Sequence, residues 1–330
     1  MNNKGINVLF TCIGRRVSLL RCFRAGAREL DIRCEISGTD NSQLSSALQL
    51  CDSRFAVKPV THPDYLSELL RIVKSEKIGL VVPTVDLDLR VLAANIDKFA
   101  ALGCRVLISS PDVIDVCQDK RKTYSFLMDN NLETPVTCEV ASLPAAGKID
   151  WPCFLKPWDG SAGRGNAVVR NIEELRFFSR RIPNCIVQEF IDGSEHTCDV
   201  YVDFEMKVRC VVPRKRIEVR AGEVSKSQIV KNTNIMKQAA NLVEKLGAGP
   251  GVITLQLFLT KDNDVKFIEI NPRFGGGVPL SIKAGANFPR WILQEMTGER
   301  PDFEFDGFQD GLTMLRYDGE VWLDSNKKTE

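Results

Sequence analysis

Between residues 1 and about 110, short β-branched runs alternate with segments of helical apolar spacing, and this alternation constrains the fold more than any other feature. Ile6–Phe10 reads as a strand and Val17–Leu30 as a helix. Cys34–Gly38 is a second strand ending at Thr39-Asp40, and Phe55–Val57 a short third. Thr61 is placed to cap a helix over 63–75, with Pro63 in its first turn. Leu80–Pro83 is a strand, 86–102 a helix and Arg105–Ile108 another strand. Strands joined by helical crossovers form a parallel sheet wound on both faces. Such sheets bind ligands at the carboxyl ends of their strands. There the chain carries Thr11-Cys12-Ile13-Gly14-Arg15-Arg16, one glycine where the dinucleotide fingerprint needs three. This argues against a nicotinamide dehydrogenase, although Asp40 stands where a ribose-binding acid would. Arg15 and Arg16 admit two readings, a solvated helix start or a contact with a substrate anion.

Forty-four Lys+Arg against 43 Asp+Glu leave a net charge of +1. No basic excess favours general nucleic-acid binding. No stretch approaches the ~20 apolar residues of a membrane span. Met1–Gly5 runs straight into the first strand without a secretory apolar region, so a cytoplasmic location is expected. The 11 cysteines form no C-x-x-C pair, and only 2 histidines, His62 and His196, accompany them. A zinc centre or a disulfide framework would need closer pairing, so the thiols are expected to be reduced and mostly buried.

Residues 111–150 read as a small helical segment. Pro111-Asp112 starts one helix and Asp119-Lys120 leads into another, which Asn130-Asn131 and Pro135 stop; a loop spans 141–148. Beyond 151 strands dominate, with helices near 173–181, 233–246 and 286–296 and a frayed tail from Asp324.

Four features carry chemistry. The strand Phe154-Leu155-Lys156-Pro157 delivers a lysine to a glycine-rich turn, Gly160-Ser161-Ala162-Gly163-Arg164-Gly165. Backbone N–H groups and a lysine suit a polyphosphate, and no Gly-Lys-Ser/Thr closes a Walker loop. The second is Cys185–Ile191, whose polar Gln188 and Glu189 interrupt an apolar run before Phe190, with Glu195 beyond. It suits a purine edge and a ribose, or simply an edge strand and turn. The third is a hairpin of Val252–Thr260 and Val265–Asn271. A turn centred between Asp262 and Asn263 sets Gln256 opposite Glu269, with Asn271 on the same face. One carboxylate and two amide oxygens are hard ligands suited to Mg²⁺. Leu255, Leu257, Leu259, Ile268 and Ile270 are expected on the apolar face, and Arg273 follows. The fourth is a basic stretch from Lys207 to Lys226. Arg220 and Lys226 are its foremost candidates for phosphate or carboxylate contacts, and its other members read as a solvated strand face. Asp86 and Asp88 read as helix-start acids or as lining of an acyl pocket.

In this order the motifs resemble the ATP-grasp superfamily, and within it the carbamoyl-phosphate-synthase-like single-chain ligases. The resemblance implies α/β and α+β architecture: a Rossmann-like domain over 1–110, a small grasp lobe over 111–187 and a C-terminal lobe with the metal site over 188–330. It implies Lys120 and Lys156 as nucleotide lysines, Gly160, Ser161, Gly163 and Gly165 as the phosphate loop, Gln188, Glu189 and Phe190 as the adenine hinge, and Glu195 as the ribose acid. Gln256, Glu269 and Asn271 would hold metal. Arg273, Lys226 and Arg220 would serve catalysis. The implied cofactors are ATP and two Mg²⁺ ions, with Mn²⁺ as an alternative. The implied partners are a small-molecule carboxylate and an amine, neither nucleic acid nor membrane, and a homodimer is left open. The loop carries Arg164 where small residues are common. Without a second synthase half or an amidotransferase domain, the chain is not expected to make carbamoyl phosphate from glutamine unaided. An ATP-grasp kinase or a non-catalytic nucleotide-binding protein are the alternatives.

Overall fold

The computed structural model describes residues 5–140, 150–160, 163–220 and 222–324. The loop expected over 141–148, Ser161 and the tail beyond Asp324 lie outside them.

The first part is the expected parallel sheet. Its elements are β1 (Ile6–Thr11), α1 (Val17–Glu29), β2 (Cys34–Asp40), β3 (Ser53–Ala56), α2 (Tyr65–Ser75), β4 (Leu80–Pro83), α3 (Leu89–Ala93), α4 (Ile96–Ala100) and β5 (Arg105–Val106), with strand order β3-β2-β1-β4-β5. Successive side chains of β1 and β4 enter different cores. Val8, Phe10, Leu80 and Val82 join one cluster, while Leu9 and Val81 pack among Leu69, Ile72 and Leu92 of the other. A strand covered on both faces needs unbroken apolarity, which is why these runs do not alternate with polar residues. Two helices differ from expectation. Helix α2 starts at Tyr65, and its N-cap Asp64 makes no side-chain capping bond. The helix expected over 86–102 is two, because the Asn95 side chain donates to the Val91 carbonyl at 2.8 Å and competes with helical continuation.

Next come α5 (Pro111–Cys117), α6 (Lys120–Asp129), β6 (Thr137–Glu139), β7 (Cys153–Pro157), β8 (Ala167–Val169), α7 (Ile172–Ser179) and β9 (Cys185–Glu189). The strands form an antiparallel sheet, β6-β9-β7-β8, over a small core of Cys153, Leu155, Val169, Leu175 and Val187. Helices α5 and α6, expected with this lobe, bury Val113, Cys117 and Leu127 in the main core and pack on β14 of the third sheet, while α6 also packs on β6.

The third sheet comprises β10 (Gly193–Val202), β11 (Val208–Arg220), β12 (Glu223–Ile229), β13 (Gly251–Thr260), β14 (Val265–Asn271) and β15 (Thr313–Leu315), ordered β14-β13-β10-β11-β12-β15 and antiparallel throughout. Helix α8 (Thr233–Leu246), capped by Asn232 and ended by left-handed Gly247, packs on β10 and β11. The helix expected over 286–296 is α10 (Phe288–Thr297), preceded by a short α9 (Val278–Lys283). The Phe288 ring of α10 stacks on Tyr201 at 5.7 Å.

Gln256 does face Glu269, but the hairpin reaches that register by another route. The expected turn would set Leu259 opposite Lys266, whereas Leu259 faces Val265. A bulge at Ile268 restores the register, because Phe267 gives its N–H to the Glu133 carbonyl and its carbonyl to the Thr134 hydroxyl, each at 2.9 Å. Phe267, not Ile268, therefore fills the core.

Candidate active site

The register gives the third sheet one polar face. Glu269, Gln256, Thr197 and Arg214 lie in one row across β14, β13, β10 and β11, and Asn271, Thr254 and Asp199 in the next. Arg214 and Asp199 are 1% and 0% exposed and bond in parallel, Nε to Oδ2 at 2.8 Å and Nη2 to Oδ1 at 2.9 Å. Asp199 also accepts from Thr254 and Ser281. Sequence reasoning missed this pair, although an aspartate inside the apolar run Cys198–Val202 is the signal of a buried ion pair.

At the outer edge the surroundings reverse. Glu269 and Gln256 are half-buried, and among the described residues neither side chain has a hydrogen-bond or ion-pair partner. Asn271 is buried; its Oδ1 accepts from Arg273 at 3.0 Å and its Nδ2 is unpartnered. These oxygen donors fit a hard divalent cation that takes its remaining ligands from phosphate and water. Among the described residues no group of three or more His, Cys, Asp or Glu could hold a metal instead.

Arg273 also grips Asp86 with two nitrogens, Nη2 to Oδ2 at 2.7 Å and Nε to Oδ1 at 3.2 Å. Burial opposes its charge, but Asp86 and Glu269 outweigh this and push its pKa up. Asp86 is thus a clamp between the first part and the third sheet rather than a helix-start acid. Asp88 is fully buried, bonded to the Tyr65 hydroxyl at 3.1 Å, and burial raises it to about 6. Asp40 holds the Gly14 N–H at 2.8 Å, which ties down the turn where Gly14 adopts φ +47°. Arg15 is exposed, and Arg16 pairs with Glu223.

The second sheet supplies cations. Lys156 on β7 is buried, and burial pulls its ammonium down to about 8; Glu269 opposes this and Lys120 reinforces it. Lys120, the first residue of α6, donates from Nζ to the Gly160 carbonyl at 2.6 Å and from its backbone to Trp158 at 3.0 Å. The two lysines therefore share the base of the glycine-rich turn. Gly165 has φ +77° and a Cβ there would sit 3.1 Å from the Pro157 ring, so a side chain would be both strained and crowded. Gly163 has φ +68°.

Strand β9 and Phe190 after it lead from the second sheet to the third. The Gln188 amide donates to the Thr137 hydroxyl at 2.8 Å in a buried cross-strand pair. Glu189 accepts from Lys266 at 2.8 Å and from the Val136 N–H at 3.1 Å. Both side chains hold the connection in place, and Phe190 is exposed. Glu195 pairs with Arg216 at 3.0 Å; burial raises its pKa, Arg216 lowers it and Glu269 adds to the rise.

Arg220 and Lys226 do not join this group. Arg220 is 70% exposed and bonded to Glu218 at 2.8 Å, and Lys226 pairs with the same carboxylate at 2.6 Å. The basic stretch is split by register: Arg214 and Arg216 point inward, while Arg220 lies where β11 leaves the sheet's centre. His196 is buried, its Nδ1 on the Ser194 carbonyl, and burial lowers its pKa. All 11 cysteines are free, six of them buried and five half-buried. No helix among the described residues is long and apolar enough to cross a membrane.

Residues 117–277 match a family model described as an ATP-grasp domain, and residues 8–107 one described as a PylC-like N-terminal domain. The carbamoyl phosphate synthase large chain of Vibrio cholerae is 28% identical over 294 residues, covering 83% of this chain and 26% of that one. The chain thus spans about a quarter of that relative's length. Two solved structures share the fold. The biotin carboxylase domain of 2-oxoglutarate carboxylase from Hydrogenobacter thermophilus, in complex with MgADP, ADP and bicarbonate, superposes with a TM-score of 0.73 at 16% identity, over 94% of this chain and 74% of that one. An L-amino acid ligase from Bacillus licheniformis gives 0.69 at 21% identity, over 92% and 75%.

Proposed function

Because the chain belongs to the ATP-grasp superfamily, we propose that it is an ADP-forming ligase that activates a carboxylate as an acyl phosphate and passes the acyl group to an amine. The observation that carries this reading is the meeting of charges at unpartnered Glu269, which Lys156 of the second sheet, with Lys120 beside it, approaches from one side and Arg273 of the third from the other. Lys120 and Lys156 would hold the phosphates beneath the turn of Gly160, Gly163 and Gly165. The connection through Gln188, Glu189 and Phe190 would receive the base, and Glu195 the ribose once it parts from Arg216. Glu269, Gln256 and Asn271 would hold Mg²⁺, which when bound neutralises phosphate charge.

A substrate carboxylate oxygen, oriented by Arg273, attacks the γ-phosphorus, and the bond to the β-phosphate oxygen breaks to leave ADP. The amine nitrogen then attacks the acyl carbon, phosphate departs, and the amine's proton leaves with it. Such transfer depends on positioning and charge stabilisation rather than on a protein nucleophile. This accords with a site of Lys, Arg, Glu and Asn, and with a His196 that is engaged elsewhere. Arg220 and Lys226, both committed to Glu218, have no part in this scheme.

The test is a screen of amino and sugar acids with amine partners, read by ADP release, together with hydroxylamine. A ligase gives a hydroxamate and ADP with its carboxylate substrate. A kinase gives ADP without hydroxamate, and a nucleotide sensor gives neither, so either result would overturn the proposal.

A further inference from the structure

Next to Arg273 the first part and the third sheet meet in a group of arginines that the reaction above does not use. Arg16, at the start of α1, reaches Glu223 on β12 with Nη1 at 3.1 Å. Arg316 follows β15, its backbone N–H on the Ser225 carbonyl, and reaches the other oxygen of Glu223 at 3.1 Å. Its Nη2 also donates to the Gly276 carbonyl.

These groups converge on the turn Gly275–Gly277. A Cβ on Gly276 would sit 2.7 Å from Arg16 Nη1, and one on Gly277 would overlap Arg214 Nη1. Bare Gly276 and Gly277 therefore leave room for the guanidinium groups of Arg16 and Arg214. Asp199 neutralises Arg214, yet Arg214 Nη1 is buried, faces the Gly277 side of this turn and has no partner. Of the remaining charges, Arg16, Arg273 and Arg316 pair with Glu223 and Asp86 alone; Glu269 acts on Arg273 from farther off, and Arg15 adds a fourth cation beside Glu223, so four arginines meet three carboxylates. Arg16 uses one of its five donors on protein among the described residues. A partly buried cluster with surplus cations and a buried unfilled donor is complementary to an anion. The crowding is also visible in Arg16 itself, whose pKa burial lowers and which Arg273 and Arg316 lower further, against Glu223.

We propose that Arg16 and Arg316, beside the Gly275–Gly277 turn, bind a second anionic group on the acyl substrate, so that the substrate is a dianion, a dicarboxylate or a phosphorylated acid. This rests on the ligase reading for what the first carboxylate does. Arg273 holds that carboxylate beside Asn271, and Arg16 with Arg316 select its neighbour on the same molecule.

Calorimetric titration with MgADP present compares succinate and 3-phosphonopropionate with butyrate on the wild type, Arg16→Gln and Arg316→Gln. The expected result is that one or both dianions bind at least about tenfold tighter than butyrate, the scale of a charged hydrogen bond. Each substitution should erase that margin and leave butyrate binding unchanged; melting curves confirm that the variants fold. The tighter of the two dianions separates a carboxylate site from a phosphoryl site. Equal binding of butyrate and both dianions, or equal weakening of all three in the variants, overturns the proposal. ADP release on the same ligands separates the two readings. Arginine-dependent dianion binding without ADP or hydroxamate from any carboxylate removes the ligase and leaves the anion site. ADP release confined to monoanionic or zwitterionic acids removes the anion site and leaves the ligase.

Discussion

Asp199 and Glu269 lie on the same face of the same sheet, on strands separated by one other, and their surroundings are opposite. Asp199 sits where α9 and α10 cover the sheet, and Arg214, Thr254 and Ser281 engage both of its oxygens. Glu269 sits where the face opens toward Lys156, and nothing in the described protein bonds it. A carboxylate taken out of water must be paired or it destabilises the fold. The inner one is satisfied by the chain itself. The outer one is half in water and left for something the chain does not contain. Two like residues thus divide into a structural acid and a chemical one.

The comparison breaks most sharply under substitution. Glu269→Ala should lower carboxylate-dependent ADP release by about a hundred- to a thousandfold, the scale of removing a group that stabilises transition-state charge. Because no partner is stranded, its melting temperature should stay within ~2 °C of wild type. Retained ADP release in that variant would remove Glu269 from the chemistry. Asp199→Ala should do the reverse. It strands Arg214 in the core, at a cost of roughly 3–5 kcal/mol, which a urea titration reads as an earlier unfolding midpoint. An unchanged midpoint would show that the buried pair is not what holds β10 to β11.

Lys156 sharpens the outer half of the comparison through pH. Burial lowers its pKa to about 8, so in the free enzyme it is an ammonium below that pH and an amine above it. Gripping phosphate requires the ammonium. The kcat/KM for ATP should therefore be level below about 8 and fall tenfold per pH unit above it, since this parameter reports the free enzyme. Lys156→Arg, whose guanidinium does not titrate in this range, should lose that limb even if its absolute rate is lower. A wild-type profile flat to pH 10 would place the lysine outside the nucleotide's reach.

Much of this was legible in the sequence, for identifiable reasons. The parallel sheet was, because Val8–Phe10 of β1 and Leu80–Val82 of β4 are covered on both faces and must be apolar. The pairing of Gln256 with Glu269 was reached by assuming a symmetric turn. The turn is one residue tighter and Ile268 bulges, so the right pair came with the wrong core residue. A bulge depends on what Phe267 bonds outside the hairpin, the segment at Glu133 and Thr134, and local periodicity carries no trace of that. The clamp between Asp86 and Arg273, and the meeting of Arg16 with Glu223, join residues far apart in the chain. Their types were noticed, but their partners are set by how the sheets meet.

The smallest expected effect concerns the basic stretch, where sequence reasoning preferred Arg220 and Lys226, which the structure pairs with Glu218 away from Glu269. Arg214-Lys215-Arg216 puts cations on both faces of a strand, and the residue pattern does not say which face is inward. The register decides it. Arg214 stands opposite Thr197, in the row of Gln256 and Glu269, and Arg216 reaches Glu195. Beyond Arg216 the pairing of β11 with β12 shifts twice, and Arg220 comes to rest on Glu218 in the open. Exposed ion pairs contribute little. Arg220→Ala should therefore change ADP release less than about twofold, whereas Arg216→Ala frees Glu195 and should alter the KM for ATP. A tenfold fall in turnover for Arg220→Ala would mean that this end of β11 folds over the substrate during the reaction. The inward and outward halves of the strand would then exchange roles.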